Sequence, residues 1–289
     1  MFKRAVLMLM IIFAWAIAQD ADAKKPEAGQ AYNEGNNLVR NKDFSGAIEK
    51  YKAAIAADDN FPEANYMLAY CYSKTGSYED AEAAYKKAIQ LDSKFEKAYI
   101  ALGKLQDSMG KQSDAINTYS AVLGFNPSSA KANYGLGKVY LDQKKYTQAI
   151  KYLKGAVEAD PDYSFAWNLL GLAYEAERDF QQAVNAFGKA VDTERRSTVK
   201  GSYYYRLGKA LVSAKSFNKA EEALQNAINL TRKSSIKAAS NFYLGEVYKN
   251  QGQTQKAIKH FSLAASDRNW KQPAEYEIDI LKNPEKYAY

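Results

Sequence analysis

Cysteine and histidine are almost missing from this sequence. Its 289 residues include one of each, Cys71 and His260. That excludes an intrachain disulfide framework, a cysteine-based zinc site and a histidine-rich metal or catalytic centre. Long apolar runs are scarce as well. The run from Ala5 to Ala18 is shorter than the roughly 18–20 residues that span a bilayer. No glycine-rich phosphate loop is present, and no serine or cysteine nucleophile has a base positioned for it, so no catalytic, cofactor-binding or metal-binding residue is assigned. Otherwise the composition is ordinary for a globular chain, with 47% hydrophobic and 25% charged residues, which rules out a disordered tail or a multi-span membrane protein. What is plentiful is tyrosine, with 23 copies, and basic charge, 40 Lys and Arg against 33 Asp and Glu.

The first 23 residues read as a secretory signal peptide. Lys3 and Arg4 form the basic start, Ala5 to Ala18 the apolar stretch, and Ala16-Ile17-Ala18 or Ala21-Asp22-Ala23 the small-residue cleavage site. The alternative is an uncleaved anchor. A leader of this kind predicts export, most simply to a bacterial periplasm. Residues 24–27 then form a short linker. The mature chain stays basic after cleavage at either site. In a cytosolic protein that balance would point to nucleic acid, but an exported one meets acidic proteins or anionic surfaces first, so no nucleic-acid partner is expected.

The rest is organised by a repeat. Ala47, Ala81, Ala115, Ala149 and Ala183 are spaced 34 residues apart, and Ala220 and Ala257 continue the series at 37. Seven residues after each comes another small residue: Ala54, Ala88, Val122, Ala156, Ala190, Ala227 and Ala264. Twelve before each stands Gly35, Ala69, Gly103, Gly137, Gly171, Gly208 or Gly245, and four after it a large residue: Tyr51, Tyr85, Tyr119, Leu153, Phe187, Leu224 or Phe261. Apolar residues at three-and-four spacing predict two amphipathic helices per unit. Gly76, Gly110 and Gly252 mark turns between them, and Asn126-Pro127 and Asp160-Pro161 mark unit ends. Small residues allow close approach of the paired helices, and large ones interlock across the gap. Each such hairpin has to stack on its neighbours to bury its apolar face.

These residues resemble the tetratricopeptide repeat (TPR) family, and the resemblance covers residues 28–271. It implies an all-α TPR α-solenoid: seven helix-turn-helix repeats in a right-handed superhelix, with units 28–61, 62–95, 96–129, 130–163, 164–200, 201–237 and 238–271. The fifth unit matches most fully, through Trp167, Leu170, Gly171, Tyr174, Phe180, Ala183, Phe187 and Ala190. Residues 272–289, with Tyr276, Ile278, Ile280 and Leu281 apolar, are expected to add a C-terminal capping helix. The three-residue insertions, within Arg195–Lys200 and Arg232–Lys237, are either extra helical turns or a basic ledge.

In proteins of this kind the first helix of each unit lines a concave channel. The matching positions here are Tyr32, Asn33 and Asn36; Glu63, Tyr66 and Tyr70; Lys97, Ile100 and Lys104; Lys131, Tyr134 and Lys138; Phe165, Asn168 and Leu172; then Tyr205, Arg206, Lys209, Phe242 and Tyr243. The resemblance therefore implies a non-enzymatic interaction scaffold that binds an extended protein or peptide segment along a Tyr/Lys-lined groove. The interleaved lysines favour a partner with acidic and apolar residues. Lys97, Lys104, Lys131 and Lys138 recur at two positions of the central units and are expected to converge, unless Asp107 and Asp142 neutralise them. The lysine, asparagine and arginine set with which some cytosolic TPR domains hold chaperone tails is not reproduced. The alternative reading is a structural adaptor that docks through its convex face, or through the basic junctions, onto an envelope complex or an anionic membrane surface, with peripheral membrane contact. His260 and Cys71 are expected to be a surface histidine and a small buried hydrophobe.

Overall fold

The computed structural model describes residues 26–287; the leader, Met1 to Ala23, lies outside the described residues. Among these residues there is no strand. Helix α1 covers residues 26–40. It is followed by α2 (Phe44–Ala57), α3 (Pro62–Thr75), α4 (Tyr78–Leu91), α5 (Glu96–Ser108) and α6 (Gln112–Phe125). Then come α7 (Ala130–Asp142), α8 (Tyr146–Ala159), α9 (Ser164–Ala176), α10 (Phe180–Thr193), α11 (Ser197–Ser213) and α12 (Phe217–Leu230). The last helices are α13 (Ser234–Asn250), α14 (Thr254–Ala264) and α15 (Lys271–Lys282), before a 3-10 turn at Pro284–Lys286. Odd and even helices pair into consecutive hairpins, the arrangement of a TPR solenoid. The chain divides into two compact units, one ending at Pro127 and one beginning at Ser128.

The periodic residues explain the pairing. Ala47, Ala54, Ala81, Ala88, Ala149, Ala156, Ala183, Ala190, Ala220, Ala227, Ala257 and Ala264 are all fully buried. A Cβ added at Gly171 would lie 2.5 Å from the Phe187 ring, at Gly245 2.6 Å from Phe261, and at Gly137 2.5 Å from Leu153. Gly103 and Gly35 stand in the same relation to Tyr119 and Tyr51. The first helix thus has a bare backbone where the second helix lays down its largest side chain. In the first unit the core runs through Tyr51, Leu68, Tyr85 and Leu102. In the second it runs through Leu153, Leu170 and Phe187 and, further on, Leu224, Leu244 and Phe261.

The 37-residue spacing has a simple origin. The expected boundaries start the sixth and seventh units at Gly201 and Ala238, whereas α11 and α13 already begin at Ser197 and Ser234 and are 17 residues long. The inserted residues add a helical turn. Gly201 is needed there because a Cβ would meet the backbone of the α12 end, 2.9 Å from the Thr231 nitrogen.

Helix α15 caps the seventh hairpin. Its fully buried Ala274, with Ile278 and Leu281, packs into the core of Leu244 and Phe261. Among the described residues no helix is long and apolar enough to cross a membrane.

Candidate functional site

First helices of successive hairpins touch one another within each unit, α3 with α5, α7 with α9, and α11 with α13. The residues expected to bind a partner belong to these first helices and to α1. In the first unit, Tyr32 is half-buried between Tyr51, at 5.7 Å between ring centroids, and Phe61, at 4.9 Å. Tyr66 repeats this with Tyr85 at 5.7 Å and Phe95 at 5.4 Å. Asn36 accepts a hydrogen bond of 2.8 Å from the Tyr51 hydroxyl. Tyr70 meets Phe44 edge-on at 6.2 Å, with the Lys74 ammonium over its ring. Burial raises the Tyr66 pKa above the ordinary phenol value. Lys97 and Lys104 are exposed and have no ion pair among the described residues.

In the second unit Tyr134 lies 4.9 Å from Tyr163, whose hydroxyl burial pushes up to about 12. Lys131 is exposed and has no ion pair among the described residues, while Lys138 is paired with Asp142 at 2.9 Å on its own helix. Asn168 is buried, and its side-chain oxygen accepts a hydrogen bond from the Arg206 guanidinium. Lys209 pairs with Glu175 at 3.1 Å. The Tyr205 and Tyr243 rings lie 6.1 Å apart, and Tyr243 is 6.0 Å from Trp270. Burial raises the pKa of both tyrosines.

Phe61, Phe95, Tyr163 and Trp270 carry roles that the sequence reading missed. Each is the N-cap residue of a first-type helix, α3, α5, α9 or α15, and none makes a side-chain cap hydrogen bond. An N-cap position normally favours a polar side chain. Here an aromatic takes it and packs on a tyrosine of the preceding hairpin. The available signal was the recurrence of Phe61 and Phe95 at one interval of 34.

At the junctions, Arg196 stays exposed but turns its guanidinium onto a buried neighbour. Its guanidinium holds the buried Glu194 carboxylate at 2.9 Å from two nitrogens, and the Ser164 hydroxyl donates to the same carboxylate at 3.0 Å. These bonds hold Glu194 down to about pKa 2. Arg195, Arg232 and Lys233 stay exposed. Cys71 is a buried thiol that burial pushes up to about 11. His260 is half-buried rather than on the open surface, stacked on Tyr248 at 5.2 Å and hydrogen-bonded to Asn241 at 2.9 Å. Among the described residues no group of three or more His, Cys, Asp or Glu could hold a metal ion.

A sequence profile of the tetratricopeptide repeat matches residues 32–94, 100–164, 168–235 and 205–273. Among solved structures, the C-terminal part of a TPR repeat-containing protein from Cytophaga hutchinsonii is similar with a TM-score of 0.68. It is 16% identical, over 86% of this chain and 99% of that one. A tetratricopeptide repeat protein from Parabacteroides merdae gives 0.59 at 16% identity, over 89% and 100%. MamA gives 0.51 at 31% identity, over 55% of this chain and 93% of its own. A search of curated proteins returned no match.

Proposed function

Because this chain belongs to the tetratricopeptide repeat family, whose members serve as protein-binding scaffolds, we propose that it is a non-enzymatic scaffold of a bacterial cell envelope, holding an extended segment of a partner protein along its first-helix face. The fold leaves open what is bound, so the reading rests on the face itself. The observations that carry it stand in each unit by itself: exposed Lys97 and Lys104 on α5, which touches α3 with its half-buried Tyr66 and Tyr70, and exposed Lys131 on the same helix as half-buried Tyr134, none of the three lysines having an ion pair among the described residues. A half-buried tyrosine offers a ring for apolar contact and a hydroxyl for a hydrogen bond. An exposed lysine that forms no ion pair within the chain can meet a carboxylate of the partner. Export follows from the leader at Met1 to Ala23, and mass spectrometry of the mature chain would locate its new N-terminus.

The test is affinity capture from an envelope extract, with the wild-type chain beside a Lys97→Glu, Lys104→Glu, Lys131→Glu variant. All three side chains are solvated, so the variant keeps its fold. The expected result is a partner whose capture weakens as salt rises and disappears with the variant. A partner captured equally by both, with the same salt dependence, would overturn the reading. The exposed Arg195, Arg232 and Lys233 favour a second reading, docking through the basic junctions. It predicts loss of capture when those three become alanine and none with the lysine variant.

A further inference from the structure

Hairpins five to seven carry charges of both signs on the face proposed above, and two of them are incompletely neutralised. Arg206 is half-buried, and burial lowers its pKa from the usual arginine value. Its hydrogen-bond partner is the neutral side chain of Asn168, and no carboxylate lies within ion-pair distance among the described residues. A guanidinium has five donors, and a desolvated cation with one neutral acceptor is costly. On α13, Glu246 is its counterpart. Its side chain is 23% exposed and has Lys249 at 3.3 Å, but the same ammonium lies closer to Glu277 of α15, at 2.6 Å. One lysine is thus shared by two carboxylates. Burial raises the Glu246 pKa above the ordinary carboxyl value.

Tyr205, next to Arg206 in sequence, and Tyr243, one helical turn before Glu246, form a ring pair 6.1 Å apart. Glu175 also attracts Arg206, but its ion pair is with Lys209, at 3.1 Å.

Resting on the first-helix reading above, we propose that this part of the face selects a partner segment carrying charges of both signs: an acidic residue held by Arg206, an apolar residue on Tyr205 and Tyr243, and a basic residue held by Glu246. Asn168 is the positioning residue for Arg206, and Glu277 keeps Lys249 from neutralising Glu246. A guanidinium can hold a carboxylate through two parallel hydrogen bonds, and a carboxylate attracts an ammonium as a point charge. A purely acidic segment would leave Glu246 facing like charge, and a purely basic one would do the same to Arg206.

The experiment is a library of acetylated, amidated nine-residue peptides with a common alanine and leucine frame, in which two positions vary among glutamate, lysine and alanine at several spacings. Binding is read by enrichment on the immobilised chain and by fluorescence anisotropy. Mixed-charge peptides are expected to bind about tenfold tighter than single-sign ones. Arg206→Gln should abolish the preference for glutamate and keep that for lysine, Glu246→Gln should do the reverse, and Arg206→Lys should restore part of the first. Melting by circular dichroism checks that each variant is folded. A wild-type chain that favours single-sign peptides, or variants that keep its preference, would overturn the proposal. Peptides bound without charge preference would sink it and leave the groove reading standing, while binding of none would sink both.

Discussion

Gly171 and Phe187 show how narrow the tolerance inside a hairpin is. With a Cβ 2.5 Å from two atoms of the Phe187 ring, Gly171→Ala has to displace a fully buried side chain. The expected cost is about 1–3 kcal/mol, read as a lower urea midpoint with an unchanged slope. Gly76 is different. It has open space around it and φ of +87°, so Gly76→Ala is opposed by the backbone alone, by about 1 kcal/mol. Lys42, Lys144, Arg178 and Lys215 accept the same left-handed conformation at the corresponding turns of other hairpins. The small-against-large pairing was legible in the sequence because it recurs with the repeat. The left-handed lysines and arginine were not, because no glycine marks them. Glu82 also escaped a periodic reading. Its carboxylate accepts from Lys111 at 2.6 Å and pairs with Lys86 at 2.7 Å, which holds it down to about pKa 2. A lowered carboxyl pKa contributes stability that is present above the ordinary value near 4.5 and lost as pH falls towards 2. The midpoint difference between wild type and Glu82→Gln is therefore expected to be large at pH 6 and to close below pH 3. A difference that stays constant would assign Glu82 a packing role instead.

Helix α15 behaves as a first helix without a second one. Trp270 caps its start as Phe61, Phe95 and Tyr163 cap α3, α5 and α9. Where a second helix would follow, the chain instead turns back. Asp279 accepts from Asn283 at 2.7 Å and Lys286 at 2.8 Å, and from the Tyr287 hydroxyl. These bonds hold its carboxyl at about pKa 2. The amphipathic pattern of Tyr276, Ile278, Ile280 and Leu281 made a capping helix legible. The aromatic N-cap was not, because the residue before a helix carries no helical periodicity. Trp270 touches Phe242 at 4.7 Å and Tyr243 at 6.0 Å, so Trp270→Ala removes the lid over the seventh hairpin. It is half-buried, so the cost should lie below that of a fully buried aromatic, at about 2 kcal/mol. Hydrogen exchange should show protection lost in α13 and α15 first.

Stacked hairpins draw stability from their own packing and that of their neighbours, so damage stays local. In this chain two cores can be followed separately. Residues up to Pro127 hold one core, around Tyr51, Leu68 and Tyr85, and residues from Ser128 hold theirs around Leu153, Phe187, Leu224 and Phe261. Asn126-Pro127 was visible in the sequence as an end of one repeat. Asp160-Pro161, before α9, reads the same way, because both dipeptides stop a helix equally well. A lesion in one core should thus be felt within its unit before it reaches the other. Native-state hydrogen exchange in rising urea tests this with Gly171→Ala. Amides of α7 to α14 are expected to lose protection at lower urea than in the wild type, while those of α3 to α5 keep their wild-type values. A uniform loss across both sets would mean that the chain unfolds as one cooperative body.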